Sequence, residues 1–492
     1  MIEDALIPIV DLFAGPGGLN EGFCSALDIN GKRVFDSVAS FEMDALACRT
    51  LRLRSTFRAL RANGADLGPY YKYISGQATW NETLSGKFRE AYESTAEHIF
   101  QVELGEEQRK EVDATILEKL GRHESRGHWI LIGGPPCQAY SLAGRSRRTS
   151  DEYFESDHKH FLYKEYLHIL DAFQPSIFVM ENVKGLLSST HGGKGMFLRI
   201  LDDLRKLPGG VRYEIRSLVV DVDHEDVQPE DFIIRAEEHG LPQKRHRVIL
   251  LGVRSDLAHR IPRRVLDLSP EPVTVRDAIG GLPARVSVAS GRLPKRALNW
   301  EEELSVATAD AKLAADPRSD MADVDNQAAK DLREWLEDDN ITAPVHHVPR
   351  SHMISDLVRY RVMATKALEL GRSPKYADLH ESLQPDHNNI GQANTPFTDR
   401  FRVQVWDQPS TTVVSHISKD GHYYIHPDPI QGRSLTVREA ARLQTFPDNY
   451  FFEGARTQQF HQVGNAVPPL LARKIADKVA LMLGSLFDGP VG

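Results

Sequence analysis

Near the start of this chain a buried strand runs directly into a glycine-rich turn, and this feature limits the folds that the chain can adopt. Residues 7–12 are apolar apart from one aspartate, and the sequence AGPGG follows at residues 14–18. A helical pattern comes next, and then a largely apolar segment at residues 34–41 that ends at Glu42. Strands that alternate with helices predict a parallel sheet with helices on both faces. Glycines after the first strand let the backbone approach a ligand at the carboxyl edge of such a sheet.

The same alternation resumes after a long polar segment. Residues 50–127 are polar and helical in character, and we interpret them as an insertion beside the sheet, without a strand of its own. Apolar segments follow at residues 128–132 and 177–180, and further strands are predicted at residues 213–220 and 247–253. The predicted fold class is therefore α/β, with a Rossmann-like, mostly parallel sheet.

The alternation is lost between residues 255 and 432, where proline is frequent. Short strand-like runs occur there at residues 401–406 and 410–415. An acidic window, residues 301–340, carries 13 acidic and 4 basic side chains, and we interpret it as a solvated surface segment. This part of the chain is predicted to be a second, smaller and irregular domain.

Helices return after residue 433, and the last one, at residues 470–486, has apolar residues at helical spacing. We expect it to pack back on the first domain. The predicted divisions are a first domain at 1–254 with its insertion at about 50–127, a second domain at 255–432, and a returning segment at 433–492.

Composition excludes several classes of protein. No apolar run approaches the ~20 residues of a membrane span, and the N-terminus lacks the basic region of a secretory signal. Three cysteines, Cys24, Cys48 and Cys137, are too few for a disulfide framework, so we expect a cytoplasmic protein. The net charge of −9 arises within residues 301–340, which leaves the rest of the chain neutral overall. Net charge alone therefore does not decide whether the chain binds nucleic acid.

Two predicted strands end in residues that can carry chemistry. The sequence GGPPCQ ends one of them, and its two prolines stiffen the approach to Cys137. A rigidly placed thiol at the carboxyl end of a strand is suited to act as a nucleophile. Glu181, in the sequence ENV, ends the next strand and would share a crevice with Cys137, or else cap the following helix. Cys24 and Cys48 lie in helical patterns, where we expect them to behave as small buried apolar residues.

Other motifs are weaker when each is taken alone. The run QKRHR at residues 243–247 reads as a solvated basic segment, although Arg245 and Arg247 would point to one face if it is extended. The sequence QVGNAVPP at residues 462–469 reads as a tight turn before the last helix. Histidines cluster loosely between residues 346 and 426 without the spacing of a zinc site, so we expect no metal.

Taken in order, six motifs resemble those of the C5-cytosine DNA methyltransferase family. They are DLFAGPGG, GGPPCQAYS, MENVKGL, LPQKRHR, LTVREAARLQTFPDNY and QVGNAVPP. The resemblance covers about residues 7–253 and 402–479, and six ordered matches are far more specific than any one motif. It implies a Rossmann-like methyltransferase domain followed by a smaller target-recognition domain.

The resemblance also implies an activity and a set of site residues. The chain would transfer a methyl group from S-adenosylmethionine to C5 of a flipped-out cytosine in double-stranded DNA. Cys137 would be the nucleophile that attacks C6, Glu181 the acid near N3, and Arg247 a donor toward O2, with Arg245 in support. The residues implied in cofactor binding are Phe13, Ala14, Gly15, Pro16, Gly17, Gly18, Glu42, Met43, Leu162, Asn465, Ala466 and Val467. Asp66 is a candidate for the acid of the third cofactor motif.

Three other kinds of protein remain as alternatives. An RNA cytosine-5 methyltransferase would use the same chemistry, but a CFT-containing motif typical of that branch is absent and the large second domain favours duplex DNA. A catalytically inactive, DNA-binding relative would have lost the Pro-Cys pair or the ENV glutamate, and both are present. A dinucleotide-dependent oxidoreductase would need G-x-G-x-x-G after the first strand, where this chain has G-x-G-G. The resemblance further implies the modification half of a restriction–modification system, whose endonuclease would be a separate protein.

Overall fold

The computed structural model describes residues 6–123, 127–136, 162–188, 190–191, 194–289, 326–375, 378–380, 383 and 400–487. Its strands are β1 (Ile7–Leu12), β2 (Phe35–Glu42), β3 (Ile99–Gln101), β4 (Ile130–Gly133), β5 (Ile177–Val183), β6 (Thr190–His191), β7 (Lys194–Gly195), β8 (Tyr213–Arg216), β9 (Ile233–Arg235), β10 (Gln243–Lys244), β11 (His246–Arg254) and β12 (Ser410–Thr411). Its α-helices are α1 (Gly18–Cys24), α2 (Ala45–Ala62), α3 (Gly68–Ile74), α4 (Trp80–Thr83), α5 (Gly86–Ala96), α6 (Arg109–Gly121), α7 (Leu162–Phe173), α8 (Met196–Arg205), α9 (Val275–Ile279), α10 (Gln327–Leu336), α11 (Ile354–Leu370), α12 (Val437–Leu443), α13 (Arg456–Asn465) and α14 (Pro469–Phe487).

An eight-stranded sheet organises the first half of the chain. Seven of its strands follow the order β3-β2-β1-β4-β5-β11-β8, and β9 pairs with β11 as well. The first five strands along the chain run parallel to one another, whereas β11 runs antiparallel to β5, β8 and β9. The predicted α/β class with a mostly parallel sheet is confirmed.

The register of the sheet brings several strand ends to one edge. Leu12 at the end of β1 pairs with Phe41 of β2 and with Gly133 of β4, and Gly133 in turn pairs with Met180 of β5. Because β11 runs antiparallel, its beginning lies at this same edge, where Arg247 pairs with Val183. Segments that leave or enter these strands therefore meet in one crevice.

Alternating side chains of β1 pack into two separate cores. Ile7 and Ile9 join the apolar cluster that includes α1 and α14, whereas Val10 and Leu12 join the cluster with α6, α7 and α8. Successive side chains of a strand point to opposite faces, so a strand covered on both sides must be apolar almost throughout. This is why β1 was recognisable as a buried strand from its sequence.

Four expectations about strands are wrong or only partly correct. The insertion contains the three-residue strand β3, which extends the sheet beyond β2. Residues 401–406 form no strand and hold only an isolated bridge between Val403 and Ile425, and β12 covers two of residues 410–415. The strand expected at residues 213–220 ends at Arg216. A three-residue strand such as β3 is too short to show an apolar alternation, whereas apolar runs such as residues 401–406 predict strands even where the backbone pairs only in part.

The expectation that the acidic window is solvated surface is wrong for its described part. Helix α10 buries Ala329, Leu332 and Leu336, and the indole Nε1 of Trp335 donates to the Thr445 carbonyl oxygen at 2.7 Å. Its apolar residues recur at helical spacing, so the charges occupy only the outer face. Residues 301–325 lie outside the described residues.

The C-terminal segment lies in both halves of the molecule. Leu471, Ile475 and Val479 of α14 pack in the same cluster as Phe23 of α1. Residues 273–282 share another core with residues 435–463, on both sides of the expected boundary at 432. The division at 254 and 432 stays a prediction. No helix within the described ranges is long and apolar enough to cross a membrane.

Candidate active site

A strained loop, residues 13–17, joins β1 to α1. Phe13, Gly15 and Gly17 all have positive φ angles, of 57°, 56° and 93°. Residues other than glycine rarely adopt this conformation, so surrounding contacts must hold Phe13 in it. One such contact is the backbone N–H of Gly15, which donates to Oε2 of Glu42 at 2.7 Å. The loop is thereby tied to the carboxyl end of β2.

Glu42 and Met43 present a carboxylate and an apolar surface beside this loop. The other carboxylate oxygen, Oε1, accepts from the backbone N–H of Asp44 at 2.8 Å. Each carboxylate oxygen can accept a further hydrogen bond. The Met43 side chain is 60% exposed at the same edge. A flat apolar group that carries hydroxyls, such as a nucleoside, fits these two residues.

The turn after α13 closes on the loop from the C-terminal side. A Cβ atom added to Gly18 would lie 2.1 Å from the carbonyl oxygen of Val467, so only glycine permits this approach. Ala466 and Val467 are buried, whereas Asn465 is exposed and its amide contacts His461. The turn predicted at residues 462–469 begins later, because residues 462–465 still belong to α13.

Leu162 is the first residue of α7 and is half-buried. Tyr166, one turn later, packs in the apolar cluster that Phe13 also contacts. The structure thus places the implied cofactor residues in the loop between β1 and α1, at the end of β2, at the start of α7 and around the α13–α14 turn.

Asp11 was not singled out from the sequence as a site residue. Its side chain is fully buried directly before the loop, Oδ2 accepts from Nδ2 of Asn20 at 3.4 Å, and Oδ1 has no hydrogen-bond partner among the described residues. Burial raises the pKa of this carboxyl to about 8, and the nearby charge of Glu42 acts in the same direction. Asp11 interrupts a strand whose other residues are apolar, and packing of an apolar core does not explain a buried carboxyl group at this position.

Glu103 is a second acidic residue at this edge that was not singled out from the sequence. Gln101 at the end of β3 pairs with Glu42, and the backbone N–H of Val102 donates to the Glu42 carbonyl oxygen at 2.9 Å. The exposed Glu103 follows at the same edge. Asp66, by contrast, accepts from the backbone N–H of Gly68 at 2.8 Å in the turn between α2 and α3. Glu103 became visible only once β3 was known.

Glu181 and Arg247 meet at the centre of the crevice. Nε of Arg247 lies 2.7 Å from Oε1 of Glu181, and their side chains are 12% and 14% exposed. A Cβ atom on Gly134 would lie 3.0 Å from Oε2 of Glu181, so this glycine leaves room for the carboxylate. Asn182 donates from Nδ2 to the Pro135 carbonyl oxygen at 3.4 Å. The GGPP turn is therefore adjacent to Glu181, and Cys137, which follows it, lies outside the described residues.

Arg245 has partners other than Glu181. It is 1% exposed and donates to the carbonyl oxygens of Val413 at 2.7 Å and Ala466 at 2.8 Å. Burial lowers its pKa well below the ordinary value. The interpretation of QKRHR as a solvated run is wrong at this position, since Arg245 joins the sheet edge to the second half of the chain.

An open cleft of about 480 Å³ lies at the end of β10, where Lys244 precedes Arg245 in the sequence. Among its described lining residues none carries a carboxylate, and two carry positive charge. They are Lys244, Arg402, Thr411, Thr412, Val414, His416, Tyr423 and Tyr424. Strands β10 and β12, which pair in parallel, form its floor. Cations, hydroxyls and an aromatic ring together suit an anionic ligand with flat groups, such as a nucleic acid.

Several described histidines between residues 346 and 426 contact protein groups. His347 contacts Thr436 and Pro283, and His352 contacts Ser434. Across the described ranges, no group of three or more His, Cys, Asp or Glu side chains is arranged to hold a metal ion.

Comparisons with known proteins identify the family of the chain. The family model for C-5 cytosine-specific DNA methylase matches residues 84–480. The chain is 34% identical to the type II methyltransferase M.Bpa9945I of Bacillus paralicheniformis, over 96% of this chain and 98% of that protein. It is 27% identical to the DNA (cytosine-5-)-methyltransferase M.ApeKI of Aeropyrum pernix, over 73% of this chain and 82% of that protein.

Its fold also resembles solved structures. A protein from E. coli, described as a DNA modification methyltransferase encoded within a prophage, has a TM-score of 0.52 and 20% identity, over 97% of this chain and 99% of that one. The recognition made from six motifs is confirmed, and the RNA-modifying and inactive alternatives are not favoured. The chain belongs to the C-5 cytosine-specific DNA methylase family and is an enzyme of the DNA (cytosine-5-)-methyltransferase class.

Proposed function

We propose that this protein methylates C5 of a cytosine flipped out of duplex DNA, as the modification enzyme of a restriction–modification system in the cytoplasm. The observation that carries the proposal is the contact between Glu181 and Arg247 beside the GGPP turn. The type II name of the relative M.Bpa9945I supports the biological setting. A cognate endonuclease would be a separate protein.

The edge of β1 and β2 is the proposed site for S-adenosylmethionine, which when bound supplies the methyl group. Glu42 would accept hydrogen bonds from the ribose hydroxyls, and Met43 would cover the adenine ring. Residues 13–18 and 465–467, together with Leu162, would enclose the rest. Three observations support this fit: the free acceptor capacity of Glu42, the exposed Met43, and Oδ1 of the buried Asp11, which has no hydrogen-bond partner in the part of the chain that the structure describes. We assign the acid of the third motif to Glu103 in preference to Asp66.

Cys137 would begin the reaction as a thiolate. A bond from its Sγ to C6 of cytosine makes C5 electron-rich, so that C5 can take up the methyl group. The proton on C5 then leaves to a base or to water, and the Sγ–C6 bond breaks. The thiolate is regenerated, and covalent catalysis replaces one difficult step by easier ones.

Glu181 and Arg247 would stabilise the charge that develops on the ring. Glu181 would hydrogen-bond or protonate N3, and Arg247, with five N–H donors, can hold Glu181 and also reach O2. Fixed donors in a largely buried crevice cost no reorganisation during the reaction. Arg245 would act indirectly, because its guanidinium is occupied by backbone oxygens.

The cleft beside Lys244 is the proposed path of the DNA strand that carries the flipped base. Lys244 lies three residues before Arg247, so a phosphate bound there is near the catalytic pair. A cytosine inside a duplex hides C5 and C6, so the base must leave the stack to be methylated. Replacing Lys244 by Gln should weaken binding of all DNA sequences alike and reduce the salt dependence of binding by about one counterion.

Mapping of methylated bases tests the proposed function. DNA from cells that express this protein should carry 5-methylcytosine at one short sequence, and cells that express Cys137→Ala should lack it. If folded protein leaves DNA unmarked in both, the proposed reaction is wrong. If the mark persists with Cys137→Ala, the reaction stands but the assigned nucleophile does not.

A further inference from the structure

Tyr450 contacts the cofactor loop from a distant part of the sequence. Its side chain is fully buried, and its hydroxyl donates to the carbonyl oxygen of Pro16, 434 positions away. A Cβ atom on Gly17 would lie 3.1 Å from the same hydroxyl, so the ring also packs closely on the loop. Tyr450 thus fixes the loop at the two residues that precede α1.

The loop needs such a contact because its own backbone does not favour the observed conformation. Phe13 lies in the left-handed region, which residues with a side chain rarely adopt. Strained conformations persist only where the surroundings determine them. Glu42 holds the loop on the side of β2 through the N–H of Gly15. Tyr450 supplies a second hydrogen bond to the loop, at the next residue, Pro16.

Tyr450 is itself held rigidly. The guanidinium of Arg438, which is fully buried, donates to the carbonyl oxygens of Tyr450 at 2.8 Å and Pro447 at 2.9 Å. The guanidinium of Arg54 lies 4.9 Å from the centre of the Tyr450 ring and pairs with Glu21 of α1. Neither the backbone nor the ring of Tyr450 can move without breaking buried contacts, so its hydroxyl acts as a fixed donor.

We propose that Tyr450 is a positioning residue for the cofactor: its hydroxyl holds the loop at residues 13–17 in the conformation that binds S-adenosylmethionine. The inference rests on the proposed function, because it assumes that this loop binds the cofactor. It adds that cofactor affinity depends on a side chain that lies outside the loop. Loss of the hydroxyl leaves the Pro16 carbonyl oxygen without its donor, and the loop must rearrange to find another.

A matched pair of variants tests this inference. Tyr450→Phe removes only the hydroxyl. Tyr213→Phe is the control and removes a similar hydroxyl. The buried Tyr213 donates to the carbonyl oxygen of Pro175 at 2.9 Å, just before β5 begins and at the end of that strand away from Glu181. Calorimetric titration with S-adenosylmethionine should give a Kd about tenfold weaker for Tyr450→Phe and unchanged for Tyr213→Phe, since a lost buried hydrogen bond has about that effect.

Kinetics and hydrogen exchange separate positioning from general stability. Tyr450→Phe should raise KM for S-adenosylmethionine with little change in KM for DNA, and it should speed amide exchange at residues 13–17. The two variants should lose similar thermal stability. Equal cofactor affinity in wild type and Tyr450→Phe would overturn the inference, as would equal loss of affinity in both variants. If wild type itself binds no S-adenosylmethionine, the proposed function fails instead.

Discussion

Nε of Arg247, at the start of β11, lies 2.7 Å from Oε1 of Glu181, at the end of β5. These strands are antiparallel neighbours, and the sequence separates the two residues by 66 positions. The pairing brings an acid and a cationic donor to the point where the GGPP turn leads to Cys137. Under the proposed function, this crevice would hold the groups that activate the cytosine ring.

Replacing Glu181 by Gln should lower kcat by about 10²–10⁴-fold, the usual contribution of a general acid. The shape of the side chain is kept, so folding and DNA binding should change little. Single-turnover methylation of a DNA duplex measures the effect. Glu237→Gln is the control, because Glu237 pairs with His246 at 2.7 Å, one residue from Arg247 but away from the crevice. A kcat near wild type for Glu181→Gln would remove this residue from catalysis.

Asp11 should make stability depend on pH in a defined direction. Burial raises its pKa from 3.8 to about 8, so the folded protein binds this proton more tightly than the unfolded chain does. The stabilisation that protonated Asp11 gives the folded protein is therefore complete below about pH 4. It declines as the pH rises toward 8 and is lost above about pH 8. The decline is at most about 1.4 kcal/mol per pH unit.

Urea unfolding of wild type and Asp11→Asn from about pH 6 to about pH 9 measures this effect. The free energy of unfolding of wild type, relative to the variant, should fall up to about pH 8 and then level off. A difference that is constant over the whole range would contradict the raised pKa of Asp11.

Gly18→Ala should destabilise the protein by about 1–3 kcal/mol, the usual cost of inserting a group into a packed site. The added Cβ atom would meet a backbone oxygen, that of Val467, at 2.1 Å, and backbone cannot rotate away. The α13–α14 turn should separate from the loop, and cofactor affinity should fall with stability. Gly121→Ala is the control, since nothing lies within 4 Å of its added Cβ. Similar unfolding midpoints for both variants would show that the turn does not pack as described.

Leu332→Ala should cost about 2–5 kcal/mol, as for other buried leucines. Leu332 is fully buried, although it lies within the acidic window. Glu334→Ala, on the exposed face of the same helix, should change the free energy of unfolding by less than about 0.5 kcal/mol. Chemical denaturation of both variants measures these changes. Equal effects would mean that α10 is a solvated surface helix and is not packed as described.

The central strands could be predicted because each is buried on two faces. Residues 7–12 and 247–253 read as nearly continuous apolar runs, which β-sheets covered on both sides require. Strand β3 could not be predicted, because only Ile99 of its three residues is buried. Without β3 there was no reason to choose Glu103, and Asp66 was selected on local sequence alone.

The contacts that complete the site come from distant parts of the chain. Arg245 binds carbonyl oxygens 168 and 221 positions later in the sequence, and no local pattern indicates such partners. The prediction that the acidic window is solvated surface failed for a different reason. Counting its charges concealed Leu332 and Leu336, which lie at helical spacing and are buried. Burial follows the face of a helix and not the average composition of a segment.

Covalent trapping tests the central claim most directly. In DNA that contains 5-fluorocytosine, C5 carries fluorine in place of the proton that must leave, so the Sγ–C6 bond cannot break after methyl transfer. With S-adenosylmethionine present, wild type should form a stable protein–DNA adduct, and peptide mapping should locate it at Cys137. Cys137→Ala should form none while still binding the DNA. An adduct that survives in Cys137→Ala, or none in an active wild type, would contradict the account.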